Sequence, residues 1–155
     1  MDEDERWLRA SFAAARAAVA GGDQPYGAVL VGASGRLLAE AGNSIASGAD
    51  CTAHAELNLI RGLGARPAAG LAGATLYAST EPCAMCAAAI HWSRIGRVVY
   101  ALSEDDLYAI VGFAPDQLRL PCREVFAHSG RPVQVDDAGA ALAAEARAVH
   151  ENFWS

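Results

Sequence analysis

Lysine is absent from this chain. All 12 cationic side chains are arginine, against 18 acidic ones, for a net charge of −6. No stretch gathers the arginines into a basic stripe, and the C-terminal half carries Glu104, Asp105, Asp106, Asp116, Asp136 and Asp137. Nucleic-acid binders draw most of their affinity from neutralising phosphates, so this balance counts against an RNA partner, although a local patch can hide under an acidic total. Also lacking is any apolar run of the roughly 18 residues that a membrane span requires. The opening residues Met1-Asp2-Glu3-Asp4-Glu5 are acidic, the reverse of a signal peptide's basic start. The expectation is a cytoplasmic protein with no membrane partner. No repeat and no compositional boundary interrupts the 155 residues, which are expected to form one domain, 1–155. A chain of that length buries about 70% of its extended surface and needs no covalent staples.

Cysteine is scarce, with Cys51, Cys83, Cys86 and Cys122 only. Cys83 and Cys86 stand at C-x-x-C spacing, which in a reducing compartment points to metal or redox chemistry before structural disulfides. Cys51 and Cys122 have no patterned partner and read as buried apolar thiols.

The hydrophobic pattern predicts an amphipathic helix over 4–20, through Trp7, Leu8, Phe12, Ala15 and Val19, stopped by Gly21-Gly22. Ala28–Gly32 reads as a buried strand, Ser34-Gly35 as a hairpin turn and Arg36–Ala41 as its antiparallel return. Asn43–Thr52 reads as a polar loop and His54–Leu63 as a helix with Thr52 as N-cap. Gly64–Gly73 is a Gly/Ala/Pro connection without the Walker lysine, so it receives no phosphate role. A strand is expected over Thr75–Ser79, a helix over Pro82–Trp92 starting at proline, and a strand over Arg97–Leu102. A short helix follows at Glu104–Val111. Pro115 and Pro121 break up Gly112–Ser129. Pro132–Val135 is a candidate last strand, and Ala138–Phe153 a closing helix. Strands alternating with helices indicate an α/β fold.

The chemistry-bearing set is His54-Ala55-Glu56 with Pro82-Cys83-Ala84-Met85-Cys86. One histidine and two cysteines make a three-point zinc site, and three protein ligands leave the fourth tetrahedral position for water. Cys83 and Cys86, at i and i+3, share a helix face in a first turn whose free N–H groups and dipole favour thiolates. Zinc can lower the pKa of bound water from about 15.7 to about 7. Glu56 is placed to move protons without occupying the metal. A closed structural zinc site would need a fourth ligand that the spacing of His91, His128 and His150 does not nominate. A thiol redox pair would leave His54 and Glu56 idle.

The H-x-E…P-C-x-x-C pattern is a signature of zinc-dependent base deaminases. Through it the chain resembles the cytidine-deaminase-like superfamily, nearly end to end. The likeness runs from Pro25-Tyr26-Gly27-Ala28-Val29 through Thr75–Ile90 to Arg94-Ile95-Gly96-Arg97-Val98-Val99-Tyr100. The resemblance implies a three-layer α/β/α architecture with a mixed five-stranded sheet, one zinc ion per chain and a homodimer. It implies hydrolytic deamination, with water activated at the zinc and Glu56 as proton shuttle. Asn43 is placed like the asparagine that holds substrate in related base deaminases, or else forms a turn. The backbone N–H groups of Ala55 and Cys83 are candidate contacts to a ring substituent. Tyr26 is a stacking wall or core. Trp92 contacts the base or a dimer partner. Glu81 fixes a loop. Phe153 and Trp154 anchor the last helix or form a lid, from this or another subunit.

Ile90-His91-Trp92 and Gly112-Phe113 look more like bacterial guanine deaminases, which carry acidic residues after the Gly-Phe pair. Here Ala114-Pro115-Asp116 follows, leaving Asp116 as the acidic candidate. The Ser103–Leu107 loop and the Glu151–Ser155 tail depart from the basic features of tRNA-adenosine deaminases. The expected substrate is a free nucleobase, guanine or a related aminopurine or triazine first. Cytosine comes next, nucleosides third and tRNA last. A catalytically silent zinc-binding scaffold is the non-enzyme alternative.

Overall fold

The computed structural model describes residues 2–64 and 71–154. Most of the Gly64–Gly73 connection therefore lies outside the described residues. The elements run α1 (Glu3–Ala20), β1 (Gly27–Val31), β2 (Leu37–Gly42), α2 (Ile45–Gly48), α3 (Ala55–Leu63), β3 (Thr75–Thr80) and α4 (Ala84–Ser93). They continue with β4 (Arg97–Leu102), α5 (Glu104–Val111), α6 (Cys122–Ala127), β5 (Gln134–Asp137) and α7 (Ala140–Ala148).

One five-stranded sheet has the order β2-β1-β3-β4-β5. β1 pairs antiparallel with β2 and β3, whereas β3–β4 and β4–β5 are parallel. Every residue of β1 is buried, as a strand covered on both faces demands. The period of two then sorts side chains between layers. Ala28, Leu30, Leu76, Ala78, Val98 and Tyr100 meet Leu59 and Leu63 of α3, Ala87 and Ile90 of α4, and Phe126 of α6. Val29, Val31, Tyr77, Val99 and Ala101 meet Trp7, Leu8 and Phe12 of α1 and Leu142 and Ala146 of α7. The result is the expected three-layer α/β/α arrangement with a mixed sheet.

Two contacts hold the frame close. Asp4 accepts from both terminal Arg97 nitrogens at 2.9 and 2.8 Å and from the Tyr77 hydroxyl at 2.8 Å, tying the start of α1 to β3 and β4. Gly27 lets β1 pass directly under α1, because a Cβ there would collide with the Ser11 carbonyl and the Ala15 nitrogen.

Several boundaries differ from the sequence reading. Pro121 does not break the 112–129 segment but caps α6, whose buried Cys122 and Phe126 stand one turn apart. Asn43–Thr52 contains the single turn α2, begun by the Asn43 side chain accepting from the Ile45 N–H at 3.0 Å. The last strand is displaced to Gln134–Asp137. There Asp136 accepts from Arg97 at 2.8 Å, and that ion pair outweighs aspartate's poor strand propensity. α7 ends at Ala148, before turns that carry a left-handed Asn152 (φ 62°). Cys51 is exposed rather than buried, whereas Cys122 is buried. Among the described residues no helix is long and apolar enough to cross a membrane.

The C-terminal turns bring His150 and Trp154 against Tyr26. The Trp154 indole N–H donates to His150 Nδ1 at 3.0 Å, and the two rings stack. His150 meets the Tyr26 ring edge-on at 5.5 Å. Burial pushes the His150 pKa down to about 4.

Gly27→Ala should destabilise the protein by ~3 kcal/mol or prevent folding, read by urea denaturation, because backbone atoms cannot yield to the new methyl. For His150 the folded-state pKa lies below the unfolded value near 6.5. Its contribution is therefore complete above pH 6.5 and is lost as the pH falls toward 4, because the unfolded state takes up the proton first. Between pH 7 and pH 5 the wild type should lose about 2 kcal/mol through this residue. His150→Gln should flatten that part of the stability–pH curve; an unchanged slope would refute the assignment.

Candidate active site

Two helices begin at one point. His54 and Cys83 are the N-caps of α3 and α4, both in extended conformation. Thr52 is therefore not the cap, and Pro82 lies outside α4. Thr52 instead turns back, donating its backbone N–H and hydroxyl to Asp50 at 2.9 and 2.7 Å. An N-cap position suits a ligand better than the first helical turn does. The side chain projects beyond the helix end, where the N–H groups and the positive end of the dipole concentrate.

The donor atoms of His54, Cys83 and Cys86 all lie within 4.8 Å of one another. Nδ1 of His54 is 3.5 Å from the Cys83 sulfur. That hydrogen bond holds the imidazole pKa above its ordinary value. Cys83 accepts from both Cys86 and His54 and is held well below the usual thiol range. Cys86, which donates to it and is fully buried, is pushed up. One imidazole and two sulfurs at this spacing fit a tetrahedral zinc ion, which binds the sulfurs as thiolates.

Glu56 follows the His54 cap and is buried at 6% exposure. Because His54 is extended, the two side chains are not separated by the regular helical angle, and both line the same cleft. Burial first, and then the Cys83 charge, push the Glu56 carboxyl up to about 7. A carboxyl poised there can both take and return a proton near neutral pH.

The cleft encloses about 110 Å³ and is walled by Tyr26, Asn43, Thr80, Glu81, Leu107 and Tyr108 beside the metal-site residues. The Asn43 carbonyl oxygen is committed to the Ile45 N–H, which leaves its NH₂ as a donor. Asn58 steadies this corner by donating to Gly42 O, Ser44 Oγ and Ala53 O at 3.0, 2.8 and 3.3 Å. Glu81 has one oxygen on the Glu104 N–H at 2.9 Å and the other on the Cys122 N–H at 2.8 Å. It fastens the starts of α5 and α6 to the end of β3.

The remaining sequence candidates lie apart from the cleft wall. Trp92, 79% exposed at the end of α4, sits in a separate apolar depression with Ile60, Leu63, Leu71 and Ala89. Asp116 is an exposed turn residue. Trp154 packs behind Tyr26, with ring centroids 6.3 Å apart, and Phe153 packs on Trp154. Neither lines the cleft of its own chain, and Trp154 meets it through Tyr26. Thr80, Leu107 and Tyr108 were not singled out by sequence. Their signal was their position: one directly before Glu81-Pro82-Cys83, two on the inner face of α5.

Comparison with known proteins agrees with this geometry. Residues 1–102 match the cytidine and deoxycytidylate deaminase zinc-binding region. A probable cytosine deaminase of Schizosaccharomyces pombe is 33% identical, over 99% of this chain and 93% of the relative. A tRNA-specific adenosine deaminase of Agrobacterium fabrum is 41% identical, over 67% of this chain and 68% of its own length. The solved structure of a guanine deaminase from Nitrosomonas europaea superposes with a TM-score of 0.71 at 25% identity, covering 92% of this chain and 80% of that one. With a matched family region, a relative spanning nearly the whole chain and a donor set that fits zinc, this protein belongs to the zinc-dependent cytidine and deoxycytidylate deaminase family.

Proposed function

We propose that this protein deaminates a free nucleobase by hydrolysis, replacing a ring C–NH₂ with C=O and releasing ammonia. The observation that carries the reading is the cleft itself. It encloses about 110 Å³, with Glu56, His54 and Cys83 in its wall together with Tyr26 and Tyr108. That is room for a small planar ring, well short of the roughly 300 Å³ at which drug-sized pockets begin. A chain with no lysine and a net charge of −6 offers little for phosphates.

Zinc, when bound, supplies the Lewis acid that makes water nucleophilic at neutral pH. Glu56 takes a proton from the attacking water and delivers it to the ring nitrogen beside the amino-bearing carbon. Later it protonates the departing amine. The Asn43 NH₂ donates to an acceptor on the ring, and Tyr26, backed by His150 and Trp154, supplies a flat wall.

Between bases, two observations move the preference from guanine toward cytosine. Asp116 lies outside the cleft, which leaves no carboxylate from that segment for a purine's N–H groups. The cytosine deaminase relative spans the chain through its C-terminal turns. Guanine or a related aminopurine or triazine is the second reading, favoured by the Nitrosomonas structure. A homodimer belongs to this proposal, with the exposed Trp92 depression as the face that it covers.

Ammonia release from cytosine and from guanine, by zinc-loaded protein, tests the reading. Release from cytosine is expected to be the faster, and release from guanine alone would move the assignment to purines. Glu56→Gln should keep its zinc by metal analysis and lose about 10²–10⁴-fold in kcat. Full turnover by that variant would remove Glu56 from the mechanism. Asn43→Asp keeps the oxygen that caps α2 but replaces the donor. It should lower kcat/KM by ~10²-fold with thermal stability little changed.

A further inference from the structure

Thr80 closes β3, and its hydroxyl is spent on nothing in the fold. The residue is 4% exposed, and Oγ1 is buried with no hydrogen-bond partner among the described residues. Leu76 and Ala78 of the same strand point into the layer of α3 and α4, and the period of two puts Thr80 on that face. That is the face of the metal-ligand helices, and Thr80 forms part of the cleft wall. Its backbone is registered against Leu102 in the parallel β3–β4 ladder, which fixes the position on the β4 side.

Two other polar groups of the cleft wall are already engaged. Both Glu81 oxygens accept backbone N–H groups. The Tyr108 hydroxyl donates to the Leu118 carbonyl at 2.8 Å. An unpartnered buried hydroxyl is costly, and valine would fill the same space without that cost. A threonine hydroxyl both donates and accepts, so it can meet a ring N–H, a ring nitrogen or a carbonyl.

We propose that Thr80 is a specificity-determining residue whose hydroxyl hydrogen-bonds a heteroatom on the edge of the bound base. The inference rests on the free-base reading above. With Asn43 it gives the cleft a second polar contact that distinguishes one heterocycle edge from another. A base lacking a polar atom at that edge leaves the hydroxyl unpaired and binds less well.

The test compares Thr80→Val and Thr80→Ser in zinc-loaded protein, using whichever of cytosine and guanine the wild type turns over faster. Thr80→Val should lower kcat/KM ~10-fold, chiefly through KM, with zinc content unchanged and thermal stability equal to or above wild type. Thr80→Ser, which restores the hydroxyl, should stay within ~3-fold of wild type. If Thr80→Val fails to fold, Thr80→Ala against Thr80→Ser carries the same comparison. Wild-type kcat/KM in the folded Val variant, or equal loss in Val and Ser, would overturn the assignment and leave the deaminase reading intact. No ammonia from either base with the wild type would overturn both.

Discussion

The site depends on two helices that start facing one another. α3 and α4 each place a ligand at the N-cap, so three donor atoms gather within 4.8 Å without any helix being distorted. Both helices also aim their unpaired N–H groups at the same small volume. Thiolate at Cys83 is favourable there before any cation arrives. The sheet supplies the rest of the constraint: β3 delivers the chain to Pro82, and the parallel β3–β4 pairing sends α4 back across the face on which α3 already lies.

Burial then divides the labour among the acidic groups around this point. Glu56, sealed beside a negative sulfur, has its proton affinity raised into the neutral range. Glu81, nearby in the same cleft, spends both oxygens on backbone N–H groups. One carboxyl is left open to the cleft and the other is architectural, and the difference comes from their partners rather than their residue type.

Much of this was legible in the sequence, for identifiable reasons. The zinc ligands and Glu56 come from short local spacings, which survive any error in element boundaries. The layer order follows from β1, apolar at every position, and from strands alternating with helices. What misled was local chemistry with a tertiary cause. Pro121 reads as a breaker but opens α6 because Glu81, remote in sequence, accepts the Cys122 N–H. β5 is moved onto Asp136 and Asp137 because Arg97 is there to pair with one of them. Asp116 stands in an exposed turn and Trp92 at a helix end beside a separate depression, and likeness of sequence does not fix where a turn or a helix end points. Thr80 was invisible for a different reason: threonine at the end of a strand is ordinary until the lack of a partner for its hydroxyl can be seen.

The double use of Glu81 bears on how such a protein can diversify. The starts of α5 and α6 are pinned to the residue before Pro82-Cys83, so the exposed stretch between them, 112–121, is a bridge anchored at both ends. Its length and composition can drift through mutation without the strain reaching the cysteines. Lineages can therefore remodel this exposed bridge while the site behind it is inherited unaltered.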